Sequence, residues 1–193
     1  MPAKPWLARM IWVGAGAGLR LSEVAGLHPE DVDQLHRELM VERQVLPGGK
    51  ETGPLKNSRP RRVPLPDFLI EVLHEQIREA GAGPQSPIFP GAQNPYHDRN
   101  SVGRAMRQLS AKAELGREVR FHDLRHYYAS VLIASGAPVT MVQAALGHSN
   151  PSITLETYSH LWPQSGDVVR DHAARGLDLV RDFCGIEGGL RAV

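Results

Sequence analysis

The sequence predicts an α+β fold that is mainly α-helical and carries a small antiparallel β-sheet near residues 36–65. Apolar residues that recur with a period of about 3.6 residues in several segments indicate the helices. Two short β-type segments on either side of a Pro-Gly-Gly turn indicate the sheet. Hydrophobic residues make up 41% of the 193 residues and charged residues 22%, which excludes the disordered and fibrous classes.

Two helices are predicted at the start of the chain. Residues 7–17 form an apolar, Ala- and Gly-rich segment that predicts a buried helix ended by Gly18, and residues 21–27 predict a short second helix. The β-type segments follow at residues 39–46 and 61–65. Because a turn lies between them, an antiparallel pairing is expected.

The chain after the sheet is predicted to be helical, apart from a Gly- and Pro-rich loop at residues 81–95. Pro66-Asp67 begins an amphipathic helix, and Asn150-Pro151 begins another with Asn as its N-cap. Three further helices are predicted between them, at residues 100–113, 122–135 and 138–146.

Two segments have distinctive compositions. Residues 130–155 contain no Asp, Glu, Lys or Arg, which predicts that they form the hydrophobic core. Residues 167–184 place apolar side chains on one helical stripe. That stripe predicts an amphipathic helix that docks on a partner surface.

Charge is balanced overall but divided along the chain. Lys and Arg number 22 and Asp and Glu 21, so the formal net charge of +1 taken alone argues against a nucleic-acid partner. Cations nevertheless cluster at residues 56–62 and 97–126, whereas acids dominate residues 63–96 and 156–193. The folded chain is therefore predicted to have a basic face, which is typical of a phosphate-bearing partner.

Composition also limits the compartment. The single cysteine, Cys184, excludes an internal disulfide and a Cys-based metal cluster, which suits a reducing cytosol. No apolar segment approaches the roughly 18 residues of a membrane span, and the N-terminus lacks the layout of a signal peptide. We expect a soluble, cytoplasmic protein with no membrane partner.

Five local patterns follow one another in a fixed order. They are Ala17-Gly18-Leu19-Arg20-Leu21-Ser22-Glu23, Lys56 followed by Val63-Pro64-Leu65, His122-Asp123-Leu124-Arg125-His126, Leu146-Gly147-His148 and Thr157-Tyr158-Ser159-His160. In this order and at this spacing, they resemble the catalytic domain of tyrosine recombinases, the phage integrase family, over residues 7–161. The resemblance implies a bacterial or phage enzyme that breaks and rejoins DNA without a cofactor or a metal.

The resemblance also implies a domain organisation. Residues 1–163 are expected to form the catalytic domain, and residues 164–193 a tail that docks in cis or on a neighbouring protomer. Members of the family carry an additional N-terminal core-binding domain, which we expect to be absent because only 19 residues precede Arg20. The expected partners are double-stranded DNA and further copies of the chain, as a tetramer on DNA in the full-length context.

Phosphodiester chemistry explains the cationic part of these patterns. A phosphodiester is anionic, and guanidinium groups neutralise its non-bridging oxygens through planar, permanently protonated donors. Arg20 and Arg125 are the candidates to clamp one phosphate, and His122 projects from the same helical face as Arg125. The resemblance implies that His122 helps to accept the proton of the nucleophile and that His148 donates a hydrogen bond to an oxygen that develops charge.

Tyr158 is the nucleophile that the resemblance implies, and its attack leaves a 3′-phosphotyrosyl link and a free 5′-hydroxyl. A phenol, with an ordinary pKa of about 10, needs a base and cationic neighbours to react at neutral pH. Lys56 is the candidate general acid for the leaving 5′-oxygen, and Lys50 is an alternative at a less suitable spacing. Three other tyrosines compete with Tyr158, of which the last two are expected to pack within a helix: Tyr96, Tyr127 and Tyr128.

Five charged residues near these candidates each have two interpretations. Glu23 either orients a catalytic cation or braces its helix, and Asp123 either orients a catalytic group or caps a helix. Three arginines either hold the DNA backbone or belong to a solvated hairpin: Arg59, Arg61 and Arg62.

Three alternative functions are weighed against a recombinase. Nine histidines invite a metal hydrolase, but His122 and His126 lack the Glu of a His-Glu-x-x-His zinc motif. A type IB topoisomerase uses the same chemistry to relax supercoils. A catalytically silent DNA-binding or assembly module is the alternative from another class.

Overall fold

The computed structural model describes residues 4–56, 59–115, 118–162, 170–171 and 173–178. The chain divides into two compact units, Met1–Ser159 and His160–Val193. In the second unit, residues 170–171 and 173–178 are helical, and the rest of the predicted amphipathic segment 167–184 lies outside the described residues. The elements below all belong to the first unit.

Seven α-helices among the described residues of the first unit lie close to their predicted positions. They are α1 (Pro5–Ala17), α2 (Leu21–Ala25), α3 (Asp67–Ala80), α4 (Arg99–Lys112), α5 (Phe121–Ala134), α6 (Val139–Leu146) and α7 (Pro151–Tyr158). The mainly helical α+β fold is therefore confirmed. Within the described ranges, no helix is both long and apolar enough to cross a membrane.

Helix ends follow the predicted local chemistry. Gly18 ends α1 in the left-handed conformation, at a φ of 64°, which glycine adopts without steric cost. At the start of α7, the side-chain oxygen of Asn150 accepts a hydrogen bond from the Ser152 N–H at 2.9 Å. Pro151 occupies the first helical position, where its missing N–H is not needed.

The strands form two antiparallel sheets where the sequence predicts one. β1 (Val32–Asp33), β2 (Glu38–Val41) and β5 (Arg61–Pro64) form a sheet in the order β1-β2-β5, and β3 (Arg43–Val45) pairs with β4 (Thr52–Pro54). The predicted segment 39–46 is split because Val41 pairs with Arg61, whereas Arg43 pairs with Pro54. The chain therefore changes its partner strand at Glu42.

The hydrophobic core lies between the N-terminal helices and the sheets. Its buried side chains come from α1 to α4, both sheets, the loop after α3 and the start of α5. Met10, Leu39, Leu73 and Phe89 are fully buried members from four of these regions. This core fixes the C-terminal end of α1 and the N-terminal turn of α5, which carry or contact candidate site residues.

The prediction that residues 130–155 form the core is wrong. Helices α6 and α7 are short and bury one side each, so several of their apolar side chains reach solvent. The large apolar side chains of this segment that are exposed are Val131 on α5, Met141 on α6, and Ile153 and Leu155 on α7. The absence of charge therefore does not by itself indicate burial.

Candidate active site

An open cleft of about 1590 Å³ brings together residues that are distant in the sequence. Among the predicted site residues, Arg20, Lys56, His122 and Asp123 line it. Its other lining residues include further basic side chains from α4 and from the segment before α5: Arg99, Arg104, Arg107 and Arg120.

The cleft is basic although the whole chain is nearly neutral. Six Lys or Arg side chains line it against three acids, Asp98, Glu118 and Asp123. Asp98 caps α4 by accepting the Ser101 N–H at 2.8 Å, and Asp123 accepts the Arg120 N–H at 3.1 Å at the start of α5. The cations thus outnumber the acids by three, and two of the acids are held at helix N-termini.

Arg125 lies buried beside this cleft, with 2% of its surface exposed. Its guanidinium donates to the carbonyl of Gly18 at 2.7 Å and to the carbonyl of Leu146 at 2.6 Å, at the ends of α1 and α6. Burial, helped by the positive charge of Arg20, lowers the pKa of Arg125 to about 10. The guanidinium is therefore still protonated at neutral pH.

Glu23 connects two arginines within a buried network. Its carboxylate accepts hydrogen bonds from Arg20 at 3.0 Å and from Arg61 at 2.8 and 3.3 Å. Burial alone would raise the pKa of Glu23, but the hydrogen bonds and charges of Arg61 and Arg20 outweigh it and hold this pKa below its ordinary value. Glu23 thus both orients Arg20 and braces α2 against β5.

Arg61 differs from the expectation that it holds DNA or lies in a solvated hairpin. Its side chain is only 8% exposed, and its Nε donates to the carbonyl of Ala145 at 3.2 Å. With its other nitrogens committed to Glu23, Arg61 is a positioning residue between α2 and α6. It also packs against Gly147, where a β-carbon would lie 2.8 Å from its Cδ.

His148 follows Gly147, which ends α6 in the left-handed conformation at a φ of 68°. Its Nδ1 lies 2.8 Å from the hydroxyl oxygen of Thr154, a residue with no exposed surface. Burial and the nearby charges of Arg125 and Arg20 lower the pKa of His148 to about 4, so the ring is neutral at pH 7. When Thr154 donates to Nδ1, the ring proton resides on Nε2, which makes Nε2 the hydrogen-bond donor.

Tyr158 ends α7 and is 4% exposed. Its hydroxyl lies 2.8 Å from Nδ1 of His126, and the two ring centroids are 5.6 Å apart. Burial raises the pKa of Tyr158, and the positive charge of Arg125 partly offsets that rise. The proposed nucleophile is therefore protonated and held by a histidine in this structure.

His122 lies in the first turn of α5 and packs edge-to-face on His126, with ring centroids 4.7 Å apart. Partial burial, followed by the charges of His126, Arg125 and Arg20, lowers the pKa of His122. A neutral ring at pH 7 is able to accept a proton or to donate one hydrogen bond. His122 thus reaches the cleft from the helix that carries Arg125.

The predicted residues of the β4–β5 connection are exposed. Lys56 follows β4 and lines the cleft, and Arg59 precedes β5. Arg62, on β5, contacts Glu38 of the neighbouring strand at 3.2 Å with a side chain that is 55% exposed. Of the three arginines, Arg59 and Arg62 therefore have the accessibility that a contact with a DNA phosphate requires.

The competing tyrosines have other contacts. The hydroxyl of Tyr96 lies 3.0 Å from Nε2 of His28. Tyr128 packs against Gly18 as expected, since a β-carbon there would lie 2.3 Å from its ring. Tyr127, however, is 60% exposed, which differs from the expectation that it packs within the helix.

Two residues of the site were missed by the sequence interpretation. His126 contacts the Tyr158 hydroxyl across 32 residues of chain, and Thr154 contacts His148. The available signals were the four-residue spacings of His126 from His122 and of Thr154 from Tyr158, which place each pair on one helical face. Among the described residues, no group of three or more His, Cys, Asp or Glu is arranged to hold a metal ion.

Solved structures with the same fold are DNA recombinases and integrases. The Tn1549 transposon integrase in complex with circular intermediate DNA matches with a TM-score of 0.73 and 21% identity, over 91% of this chain and 66% of that one. The XerH site-specific recombinase bound to difH substrate matches with a TM-score of 0.65 and 21% identity, over 90% and 48%. The fold is that of the catalytic domain of tyrosine recombinases.

The chain belongs to the phage integrase family, whose family model matches residues 2–165. Tyrosine recombinase XerC of Xylella fastidiosa (strain M23) is 32% identical over 157 residues, which cover 81% of this chain and 49% of the relative. A tyrosine recombinase of Thermosipho africanus is 32% identical over 148 residues, covering 77% and 47%. The predicted family is confirmed, and the chain spans about half the length of these curated relatives.

Proposed function

We propose that this chain is the catalytic part of a site-specific DNA recombinase or integrase, which cleaves and rejoins DNA strands through a 3′-phosphotyrosyl intermediate without a metal. One observation carries the proposal. The Tyr158 hydroxyl is held by a histidine of α5, on the helix that carries the buried cation Arg125, beside a basic cleft. This arrangement supplies a nucleophile, proton carriers and charge neutralisation for one phosphodiester.

The reaction requires a phosphate to be bound between the cations. Arg20 and Arg125 neutralise the non-bridging oxygens, and each charge-assisted hydrogen bond contributes roughly 1.5–3 kcal/mol. His148, neutral and oriented through Thr154, donates from Nε2 to an oxygen on which charge develops. The charge of the transition state is thus met by donors that are in place before DNA binds.

Strand cleavage forms a bond between the Tyr158 oxygen and phosphorus and breaks the bond between phosphorus and the 5′-oxygen. A histidine of α5 accepts the phenolic proton, and Lys56 protonates the leaving 5′-oxygen. The phosphotyrosyl link keeps a phosphodiester bond, so a 5′-hydroxyl from a second strand is able to reverse the step without ATP. Strand exchange follows when that hydroxyl belongs to a different duplex.

DNA binding and assembly on DNA are supported by the positive charge of the cleft and by solved structures with the same fold. The basic cleft fits the phosphate backbone of double-stranded DNA, with Arg59 and Arg62 as additional exposed cations. Both solved structures described above are complexes with DNA or with a difH substrate. We assign catalysis to residues 1–163, and to residues 164–193 a tail that docks in cis or on a neighbouring protomer of a tetramer assembled on DNA.

A nicked suicide substrate tests this function. The protein is incubated with the nicked duplex, and an SDS-resistant adduct is expected because the cleaved 5′ fragment diffuses away before it rejoins. Tyr158→Phe abolishes the adduct, whereas Tyr127→Phe, a change of an exposed tyrosine on α5, leaves it intact.

Three other outcomes would redirect the proposal. DNA binding without any adduct favours the silent binding module, and supercoil relaxation without exchange of strands between duplexes favours a topoisomerase. An adduct that persists in Tyr158→Phe removes the nucleophile assignment.

A further inference from the structure

His126 is the side chain that meets the nucleophile. Its Nδ1 lies 2.8 Å from the Tyr158 hydroxyl, a distance at which a proton is shared or transferred. The resemblance to the family implies that His122 helps to accept the proton of the tyrosine. In the structure, His122 contacts the ring of His126 edge-to-face at 4.7 Å between centroids.

We propose that His126 is a catalytic residue, which accepts the phenolic proton of Tyr158 on Nδ1 during strand cleavage and returns it during rejoining. The inference rests on the proposed function, because it concerns the proton of that nucleophile. His122, which lines the cleft together with His126, is then not the acceptor of this proton.

The transfer of the phenolic proton requires a particular tautomer of His126. The ring begins as the neutral tautomer with its proton on Nε2, so that the Nδ1 lone pair faces the hydroxyl. As the bond between the tyrosine oxygen and phosphorus forms, the phenolic proton moves to Nδ1 and the ring becomes imidazolium. The 5′-oxygen leaves with the proton of Lys56, and rejoining runs the same transfers backwards.

The surroundings of His126 favour this role. It lies on α5 next to Arg125, whose guanidinium is fixed by two carbonyls, so the base and the phosphate-binding cation share one rigid helix. Tyr158 is 4% exposed, which excludes most water from the shared proton. Water therefore competes poorly with His126 as the acceptor.

The matched variant is His126→Asn. The asparagine side-chain amide occupies nearly the position of Nδ1 and keeps a polar contact with the hydroxyl, but it does not take up a proton near neutral pH. Single-turnover cleavage of the suicide substrate is expected to slow by about 10²–10⁴-fold. Tyr127→Phe, the exposed neighbour on the same helix, is the control and cleaves at the wild-type rate.

Replacing Tyr158 with 3-fluorotyrosine separates proton acceptance from a structural effect. The fluorinated phenol is more acidic and depends less on a base, so the deficit of His126→Asn is expected to shrink by roughly tenfold. A folding defect lowers the rates of both tyrosines by the same factor and leaves this ratio unchanged.

The outcomes divide clearly. Wild-type cleavage by His126→Asn, or a deficit of the same size with both tyrosines, overturns the role of His126 and leaves the proposed function standing. The absence of any adduct from the wild-type chain overturns the proposed function, and this inference with it.

Discussion

Thr154 carries no charge, yet its hydroxyl sets the orientation of the His148 ring through a 2.8 Å contact. Thr154→Val removes the hydroxyl and keeps the shape of a fully buried side chain. Because one hydrogen bond contributes about 1 kcal/mol, the cleavage rate is expected to fall by roughly five- to tenfold. Thr154→Ser keeps the hydroxyl and retains most of the rate, and a wild-type rate in the valine variant would show that this contact does not orient the donor.

Protonation of His148 links the site to stability. Between pH 6.5 and 4, the unfolded chain carries a proton on this ring that the folded chain lacks, because the pKa is lowered from 6.5 to about 4. The contribution of the neutral His148 ring to the free energy of unfolding is therefore complete above pH 6.5 and is lost as the pH falls towards 4. It amounts to about 1–2 kcal/mol, less than the full linkage value because the ring is partly solvated.

Urea unfolding at several pH values tests this linkage. His148→Gln is expected to flatten the loss of stability between pH 6.5 and 4 relative to the wild type. His28 and His97 also have lowered pKa values, but His148 is not among the groups that shift them, so they contribute equally to both proteins. Parallel pH profiles of the two proteins would contradict the buried, neutral state of His148.

The role of Lys56 as the general acid is tested by changing the leaving group of the substrate. Lys56→Ala is expected to slow cleavage by about 10²–10⁴-fold, because the 5′-oxygen leaves without a proton donor. A substrate with sulfur at the bridging 5′ position restores the rate, since a thiolate leaves without protonation. Lys50→Ala serves as the control for the neighbouring lysine, and failure of sulfur to rescue Lys56→Ala would remove it from the acid role.

The predicted site residues each stand in a recognisable local pattern, such as Leu146-Gly147-His148 for His148, and this pattern makes them candidates from sequence alone. His126 and Thr154 are not candidates from sequence, because only their contacts with Tyr158 and His148 in the folded chain connect them to the site. Arg61 was misjudged for the same reason: a cation in an exposed-looking β segment is indistinguishable in sequence from one that pairs with buried Glu23.

At the scale of elements, Arg61 joins α2, β5 and the end of α6 through Glu23 and the carbonyl of Ala145. Arg61→Leu leaves Glu23 buried without its main partner, and such a loss costs about 3–5 kcal/mol of folding stability. Arg62→Leu is the matched control on the same strand. Its side chain is 55% exposed, so its pairing with Glu38 contributes at most about 1 kcal/mol.

Chemical unfolding in urea measures both variants. A large loss for Arg61→Leu and a small one for Arg62→Leu are expected. Equal losses would contradict the conclusion that the network of Glu23 holds these elements together.

The helices were predictable because residues such as Gly18 and Asn150 end or begin them by local chemistry. The strands were less so, because β1 and β4 contain two and three residues, too few to show a period of two. The division into two sheets depends on which strand lies alongside Val41 and Arg43, and pairing of that kind is set by tertiary contacts.

At the scale of the whole molecule, the net charge of +1 conceals a basic cleft. Arg104→Gln and Arg107→Gln are each expected to weaken DNA binding at all sequences and to reduce the slope of log affinity against log salt by about 1. Arg78→Gln, an exposed arginine of α3 away from the cleft, makes the same charge change and leaves the slope unaltered. Fluorescence anisotropy at several salt concentrations measures the slopes, and equal changes in all three variants would argue for a diffuse charge effect.

Arg125 joins parts of the chain that leave the ribosome at very different times. Its two carbonyl partners, Gly18 and Leu146, lie 107 residues before it and 21 after it, and Tyr158 emerges later still. A nascent chain folds from its N-terminus, so the arginine acquires its second carbonyl only after α6 is made. On the proposed chemistry, an unfinished polypeptide is unable to cleave DNA, and synthesis itself delays the activity until the chain through Tyr158 is complete.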